Sequence, residues 1–387
     1  MATYRLFPST SGPASPTAAT GGWLLGVMFS VGGKMMWLDG YYHWVAPGGD
    51  TVARKFALWN RYSNTAQNLV AGSVVTSGTL TAGQWNFVAL PSPVQLAPGA
   101  LYVAATGWTA VNGIPVTSAQ FGTGNPFSGG IVNGPLTAWS ALSGTNVFPA
   151  TSGNYNLGQM LFSNALGSDP SVNMPNNGSG DDNLWMDVLV DDTAPAGYSG
   201  SYRLYPNMTD LGNYSLDTAN NFTLGKELIL STPCTLNNYW FYSPSGVTQL
   251  PTACGIFRVS DHVLVTSTSS PSWSGAAGAG WIFAAAGSPV LAAGVKYKVA
   301  VLNGAGSPAI WNAAVSNYYS SGFGANGLTS GPITAYSNAA ATAPGQETYN
   351  AGAALTYPLT NAGPFSYGLD LEVTPLSGSG LLMASFP

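Results

Sequence analysis

Charged side chains are the scarcest class in this 387-residue chain: Asp, Glu, Lys and Arg make up 6%, against about a quarter in ordinary soluble proteins. The polar surface must therefore come from Ser, Thr, Asn and backbone amides, a composition suited to packed assemblies and sugar-binding proteins. The ten Lys and Arg are scattered and the net charge is −5, so no basic stripe exists to meet a phosphate backbone and no nucleic-acid partner is expected. Histidine and cysteine number two each, too few for a standard structural zinc site, and no metal or cofactor is expected. No stretch of a dozen residues free of Gly and Pro carries apolar positions at helical spacing, which argues against any substantial helix. The most apolar window, 280–305, is interrupted by Gly, Pro and Lys, so membrane insertion is not expected. Met1-Ala2-Thr3-Tyr4-Arg5 has neither the basic start nor the apolar core of a secretory leader, which points to synthesis in a cytoplasm.

What is abundant is aromatic and turn-forming: 12 Trp, 19 Tyr and 15 Phe exclude a disordered chain, and 49 Gly with 27 Pro supply many turns. The chain also repeats. Tyr4-Arg5-Leu6-Phe7-Pro8 returns as Tyr202-Arg203-Leu204-Tyr205-Pro206, 198 positions on. Further echoes follow in the same order. Leu25-Gly26 answers to Leu224-Gly225, the stretch Leu38 to Trp44 to Leu236 to Tyr242, and Phe56-Ala57-Leu58-Trp59 to Cys254-Gly255-Ile256-Phe257. Trp85 with Ser92-Pro93-Val94 answers to Trp281 with Ser288-Pro289-Val290. The longest match pairs Gly134-Pro135-Leu136-Thr137-Ala138-Trp139-Ser140 with Gly331-Pro332-Ile333-Thr334-Ala335-Tyr336-Ser337. Each copy closes on an alternating strand, 186–190 and 369–373, and the first carries about fourteen extra residues, placed in 167–183 as a surface loop.

Short alternating runs bounded by Gly and Pro, such as 84–87 and 101–105, imply eight or more strands per copy. The expected fold is all-β: two tandem repeated β-sandwich domains, jelly-roll-like, with an immunoglobulin-like topology not separable by periodicity. The expected division is a first repeat over 1–193, a linker over 194–200, a second repeat over 201–376, and a Gly/Ser-tethered apolar segment over 377–387. In the closing strands Met186, Val188 and Val190 face one way, Asp187 and Leu189 the other.

Candidate chemistry is sparse. His43 lies in an aromatic strand and is matched by Phe241, so a core or interface role is expected; His262 follows Asp261 in a turn. Asp181, Asp182, Asp187, Asp191 and Asp192 form an acidic cluster whose spacing fits no calcium loop, and a solvated strand flanked by acidic turns is expected. Cys234 and Cys254 are either a strand-to-strand disulfide or two small buried side chains; the second is expected, because the first copy lacks them. Trp85, Trp281, Phe87 and Phe283 match between copies and are assigned to the core. Trp108, Trp139, Trp311 and Tyr336 fall after hairpins or Gly-Pro turns, where exposed aromatic faces would stack on sugars or a partner protein. No catalytic residues are assigned.

With these residues placed, two resemblances stand out. The run from Tyr4 to Tyr102 resembles a family of uncharacterised β-sandwich domains found in bacterial extracellular proteins, often beside carbohydrate-active modules. Phe29, the Trp37 to Trp44 strand, Phe56-Ala57-Leu58-Trp59, Trp85, Ser92-Pro93-Val94 and 98–104 carry it. The whole chain, with its paired Tyr-Arg-Leu openings and Gly-Pro-Leu-Thr-Ala-Trp segment, is similar to minor tail and other virion proteins of tailed phages infecting actinobacteria. That resemblance implies a non-enzymatic virion protein assembled in the host cytoplasm. Its partners would be other virion proteins and copies of itself, with host-envelope glycans as a further contact. The alternatives are a secreted carbohydrate-binding module and a capsid decoration or head-fibre protein.

Overall fold

A computed structural model describes residues 2–7, 22–61, 67–108, 130–138, 160–163, 169–175, 177–178, 184–196, 198, 200–206, 214–218, 220–305, 310–314, 318–319 and 326–376. The described residues contain strands and turns but no helix. The first half holds β1 (Thr3–Tyr4), β2 (Trp23–Val31), β3 (Met36–Val45), β4 (Lys55–Arg61), β5 (Gln67–Leu69), β6 (Val75–Thr76), β7 (Gln84–Leu96), β8 (Leu101–Trp108), β9 (Ile131–Asn133), β10 (Leu136–Ala138), β11 (Met160–Ser163), β12 (Asn177–Gly178) and β13 (Met186–Asp191). The second holds β14 (Ser215–Asp217), β15 (Phe222–Leu230), β16 (Cys234–Ser243), β17 (Ala253–Arg258), β18 (Leu264–Ser269), β19 (Gly280–Ala285), β20 (Val290–Leu291), β21 (Lys296–Asn303), β22 (Asn312–Ala314), β23 (Leu328–Ser330), β24 (Ile333–Ala335), β25 (Glu347–Ala351), β26 (Thr360–Asn361) and β27 (Leu369–Pro375).

Each half folds as a jelly-roll-like β-sandwich of a small and a large antiparallel sheet. In the first, β1-β13-β3-β7 forms the small sheet, and β12-β11-β2-β8-β4-β5, with β6, β9 and β10, the large one. In the second, β16 pairs with β19, β20 and β27 in the small sheet, opposite a large sheet ordered β18-β17-β21-β15-β24-β23 with β25 and β26. The inward side chains are those the alternation requires: Met186, Val188 and Val190 on β13, and Leu369, Leu371 and Val373 on β27, are fully buried. Two compact units result. Unit one is Met1–Ala196 with Tyr205–Tyr214 and Ser321–Leu328; unit two is Gly197–Leu204, Ser215–Ser320 and Thr329–Pro387.

Register shows why the echoes recur. Tyr4 pairs with Val190 and Tyr202 with Val373, so each Tyr-Arg-Leu motif lies along its closing strand. The closing strand's partner, β3 or β16, carries a bulge at one place in both units: Leu189 and Val190 face Gly40 and Leu38, skipping Asp39, and Glu372 and Val373 face Asn238 and Leu236, skipping Asn237. The Tyr102 hydroxyl accepts from the Ala97 amide at 2.7 Å and the Tyr297 hydroxyl from the Ala292 amide at 2.9 Å, pinning the same hairpin turn in each copy. The repeated Gly-Pro turns dock alike: Gly32 donates to the Pro135 carbonyl at 2.7 Å and Ser231 to the Pro332 carbonyl at 2.9 Å.

The glycine of each such turn is required twice over. Gly134 and Gly331 adopt φ of 57° and 53°, and a Cβ on either would enter the ring of Tyr4 or Tyr202, the first residue of the other echo. Gly331→Ala is therefore expected to destabilise unit two by roughly 2 kcal/mol or more, from left-handed strain plus the displaced tyrosine. Urea unfolding followed by tryptophan fluorescence measures it; a loss below about 0.5 kcal/mol would contradict this reading of the turn.

Three expectations need correction. The extra stretch 167–183 is not simply a surface loop: Met174 is fully buried with Ala57, Trp59, Val103 and Ala105, and Pro175 lies against Gly26. The Trp59 indole donates to the Pro170 carbonyl at 2.8 Å and Lys55 pairs with Asp169 at 2.6 Å, so the segment closes the large sheet. Asp187 is not on a solvated strand but fully buried, because residues 5–7 cover it, and Asp191 is 7% exposed. Phe87 and Phe283 are not core; their exposures are 43% and 38%. Asp181, Asp182 and most of 177–183 lie outside the described residues. Cys234 and Cys254 are free and buried, and burial pushes the Cys254 thiol up to about 12. His43 is buried edge-on to Phe56, and burial with the Arg54 charge holds its pKa well below the usual histidine value.

Candidate functional site: an arginine-capped aromatic row

On the outward face of each small sheet, three residues stand side by side across three strands. In unit one Asp187 on β13 faces Tyr42 on β3, which faces Phe87 on β7. In unit two Asp370 on β27 faces Trp240 on β16, which faces Phe283 on β19. The arginine of the repeated motif lies over the row. The Arg5 guanidinium carbon is 3.5 Å from the Tyr42 ring centre and 5.1 Å from that of Trp85; for Arg203 the distances are 3.4 Å to Trp240 and 5.2 Å to Trp281. The next ring continues the row, tilted against its neighbour: Tyr42 to Phe87 with ring centres 4.7 Å apart and Trp240 to Phe283 at 4.9 Å.

The carboxylate anchors the row. Asp187 accepts from the backbone amides of Leu6 at 2.7 Å, Phe7 at 2.9 Å and Val188 at 2.7 Å, and from Arg5 Nε at 3.2 Å. Burial still dominates, lifting its pKa to about 6 against those donors and the Arg5 charge. Asp370 accepts from Leu204 at 3.1 Å and Leu371 at 2.8 Å and pairs with Arg203 Nε at 3.4 Å. Burial lowers the Arg203 pKa to about 10, offset in part by Asp370 and Glu372. One end of each row is thus a dry, hydrogen-bonded anchor and the other an open phenyl face. Desolvated cation–π contacts of this kind contribute up to about 2 kcal/mol each.

The rows differ in support. Phe87 lies over Gly40, where a Cβ would come within 2.8 Å of the ring. In unit two the corresponding residue, Asn238, donates to Glu372 at 2.7 Å, and Glu372 also accepts from the Trp240 indole at 3.0 Å and from Ser201. Unit one has a groove of about 470 Å³ beside its row, lined by Val75 to Leu80 and Gln84 to Ala89. Thr76, Thr79 and Gln84 are exposed on it, Trp85 is half-buried, and no charged side chain lines it.

Unit two holds buried charged residues that unit one lacks, Lys226 with Glu347 on the inward face of β15 and Glu227 with Lys298 on its other face, covered by residues 342–348. Register equates Lys226, Glu227, Lys298 and Glu347 with Val27, Met28, Val103 and Met160. Lys226 Nζ lies 3.4 Å from Glu347 Oε1 and donates to the Leu369 carbonyl at 2.6 Å. Lys298 donates to the Gly345 carbonyl at 3.2 Å and Thr348 Oγ1 at 3.1 Å, and Lys296 pairs with Glu227 at 3.2 Å. Burial raises Glu347 to about 7 and lowers Lys298 to about 8. Lys226, Glu227, Lys298 and Glu347 are fully buried, so they order the unit rather than meet a ligand.

Of the four aromatics expected to bind, three lie among the described residues. Trp311 is 3% exposed, packed beside Gly304, so it is core and not a loop face. Trp108 ends β8, in register with Trp23, and is not in a loop. Tyr336 is half-buried, with Lys296 Nζ 4.5 Å from its ring centre. Trp139 lies outside the described residues. Among the described residues no group of His, Cys, Asp and Glu is placed to hold a metal ion, and no helix is long and apolar enough to cross a membrane.

No protein-family model and no curated protein matches the chain. Among solved structures it is similar to procruciferin, an 11S globulin from Brassica napus. The two are 9% identical over 76% of this chain and 84% of that one, with a TM-score of 0.11, too slight a likeness to bear on function.

Proposed function

We propose that the chain is a non-enzymatic structural protein of a tailed-phage particle, a minor tail protein that packs against other virion subunits through the open ends of its two aromatic rows. The observation that carries this reading is the duplicated exposed ring, Phe87 and Phe283, each held on an arginine-capped frame in a chain with 6% charged residues. A flat apolar face whose support is already rigid loses little side-chain entropy on docking, and sparse charge keeps desolvation cheap. Copies of the chain and host-envelope glycans are the further partners of this reading, and the particle is its location.

Complementing particles that lack the chain tests it. Phe87→Ser with Phe283→Ser is expected to lower the chain content of gradient-purified particles about tenfold or more, the scale of losing one central aromatic contact. Melting of the isolated chain should move little, since both rings are exposed. Unchanged incorporation would refute the role of the rows.

The uncharged groove of unit one favours a second reading, a carbohydrate-binding module, because Thr76, Thr79 and Gln84 beside Trp85 and Phe87 suit a neutral sugar. Retardation in gels containing cell-wall polysaccharide, lost in Gln84→Ala, would support it; equal mobility with and without polysaccharide would dismiss it.

A further inference from the structure

We infer that β18 is the acceptor edge for a strand donated by a second copy of this chain, and that the donated strand is Leu381-Leu382-Met383-Ala384-Ser385-Phe386. Among the described residues β18 pairs only with β17, so it ends the large sheet of unit two with one row of backbone donors and acceptors open. Proteins ordinarily blunt such edges with Lys, Pro or extreme shortness. β18 reads Leu-Val-Thr-Ser-Thr-Ser over six residues and has none of these; its one bulge, at Val265, leaves Thr266 to Ser269 in unbroken register with β17, and Leu264 and Val265 are 42% and 38% exposed and Val263 just before it 47%. Unit one guards the matching edge: β5 and β6 are three and two residues long.

The chain carries a segment of the right kind. Residues 381–386 are uncharged, mostly apolar and six in number, the length of β18, and follow Ser377-Gly378-Ser379-Gly380. Strand addition needs only main-chain pairing plus apolar side chains at alternate positions, which such a segment supplies.

Topology makes the donor a second copy. β27, which leads into the tether, flanks β16 on the side away from β19. β18 lies in the other sheet above β19, where Thr268 Oγ1 donates to the Ala285 carbonyl at 3.3 Å. A surface path between them crosses two strand spacings and the gap between sheets, about 20 Å. Five residues from Leu376 to Gly380 span at most about 17 Å. Because donor and acceptor are different surfaces, each chain can engage two others, and the product is a row or ring of copies. This holds whether or not the chain is a virion protein, so the particle experiment and the one below fail independently.

Sedimentation of the full chain between about 1 and 100 μM is expected to show growing association, and a chain lacking 377–387 to stay monomeric. A synthetic peptide of residues 377–387 added to the shortened chain should slow amide exchange across 264–269 at least about tenfold, and Val265→Lys should abolish that protection. Val265 is exposed, so an unchanged melting curve certifies the variant; were it to unfold, the peptide arm still decides. Full chain that stays monomeric, association that survives loss of 377–387, or exchange across 264–269 indifferent to the peptide would each overturn the inference.

Discussion

Asp187→Ala should destabilise unit one by about 3–5 kcal/mol, measured as a fall in the urea midpoint at pH 7. The substitution orphans the Leu6, Phe7 and Val188 amides, which Asp187 holds at 2.7 to 2.9 Å, and leaves the Arg5 guanidinium, 17% exposed, without its counter-ion. Each buried amide left without an acceptor costs roughly 1–3 kcal/mol, and a stranded charge more. Asp187→Asn keeps an acceptor oxygen and should lose about half as much. The equivalent Asp370→Ala should act on unit two in the same way, since Asp370 is fully buried and takes the Leu204 and Leu371 amides. A loss under about 1 kcal/mol for both would mean that the Tyr-Arg-Leu echo is not held by these carboxylates.

The second large effect concerns the cluster unique to unit two. Glu347→Met alone leaves Lys226, fully buried, without the carboxylate 3.4 Å away, and should cost about 3–5 kcal/mol. Adding Lys226→Val, so that both positions carry unit one's residues, should restore stability to the wild-type level or about 1–4 kcal/mol above it. Proton linkage separates the variants further. The folded pKa of Glu347, about 7, lies above its ordinary 4.5, so the folded state binds more protons between those values. The stability it contributes is fully present below about 4.5 and is lost as pH rises through 7, a fall of up to about 3 kcal/mol. Urea unfolding at pH 5, 6 and 7 should show this decline in the wild type and a shallower one in the double variant. A wild type that gains stability over that range, or a double variant as damaged as Glu347→Met, would contradict it.

The frame of the fold is legible in the sequence because the echoes are contacts. The Tyr-Arg-Leu motif and the closing aspartate recur together since they bond to each other, and the Gly-Pro turn recurs because its glycine clears the motif's tyrosine. The site is less legible, for two physical reasons. Alternation along β7 separates Trp85 and Phe87 from Val88 and Leu90 but does not say which set points inward, and aromatic bulk favours the wrong answer. Asp187 alternates outward as expected, but burial by a chain segment about 180 residues away leaves no local sign. The Lys226 and Glu347 cluster does have one, charge at positions where the first copy has Val27 and Met160, visible only once the strands are in register. Trp311 follows no periodic run, and its burial depends on packing beside Gly304.

The most direct test of the central claim is immunogold labelling of intact tailed-phage particles with antibody against the purified chain. Gold on the tail, at a fixed position from particle to particle, is the predicted result. Label confined to particle-free supernatant, with bare particles, would contradict the virion assignment and leave the sugar-binding module as the better account.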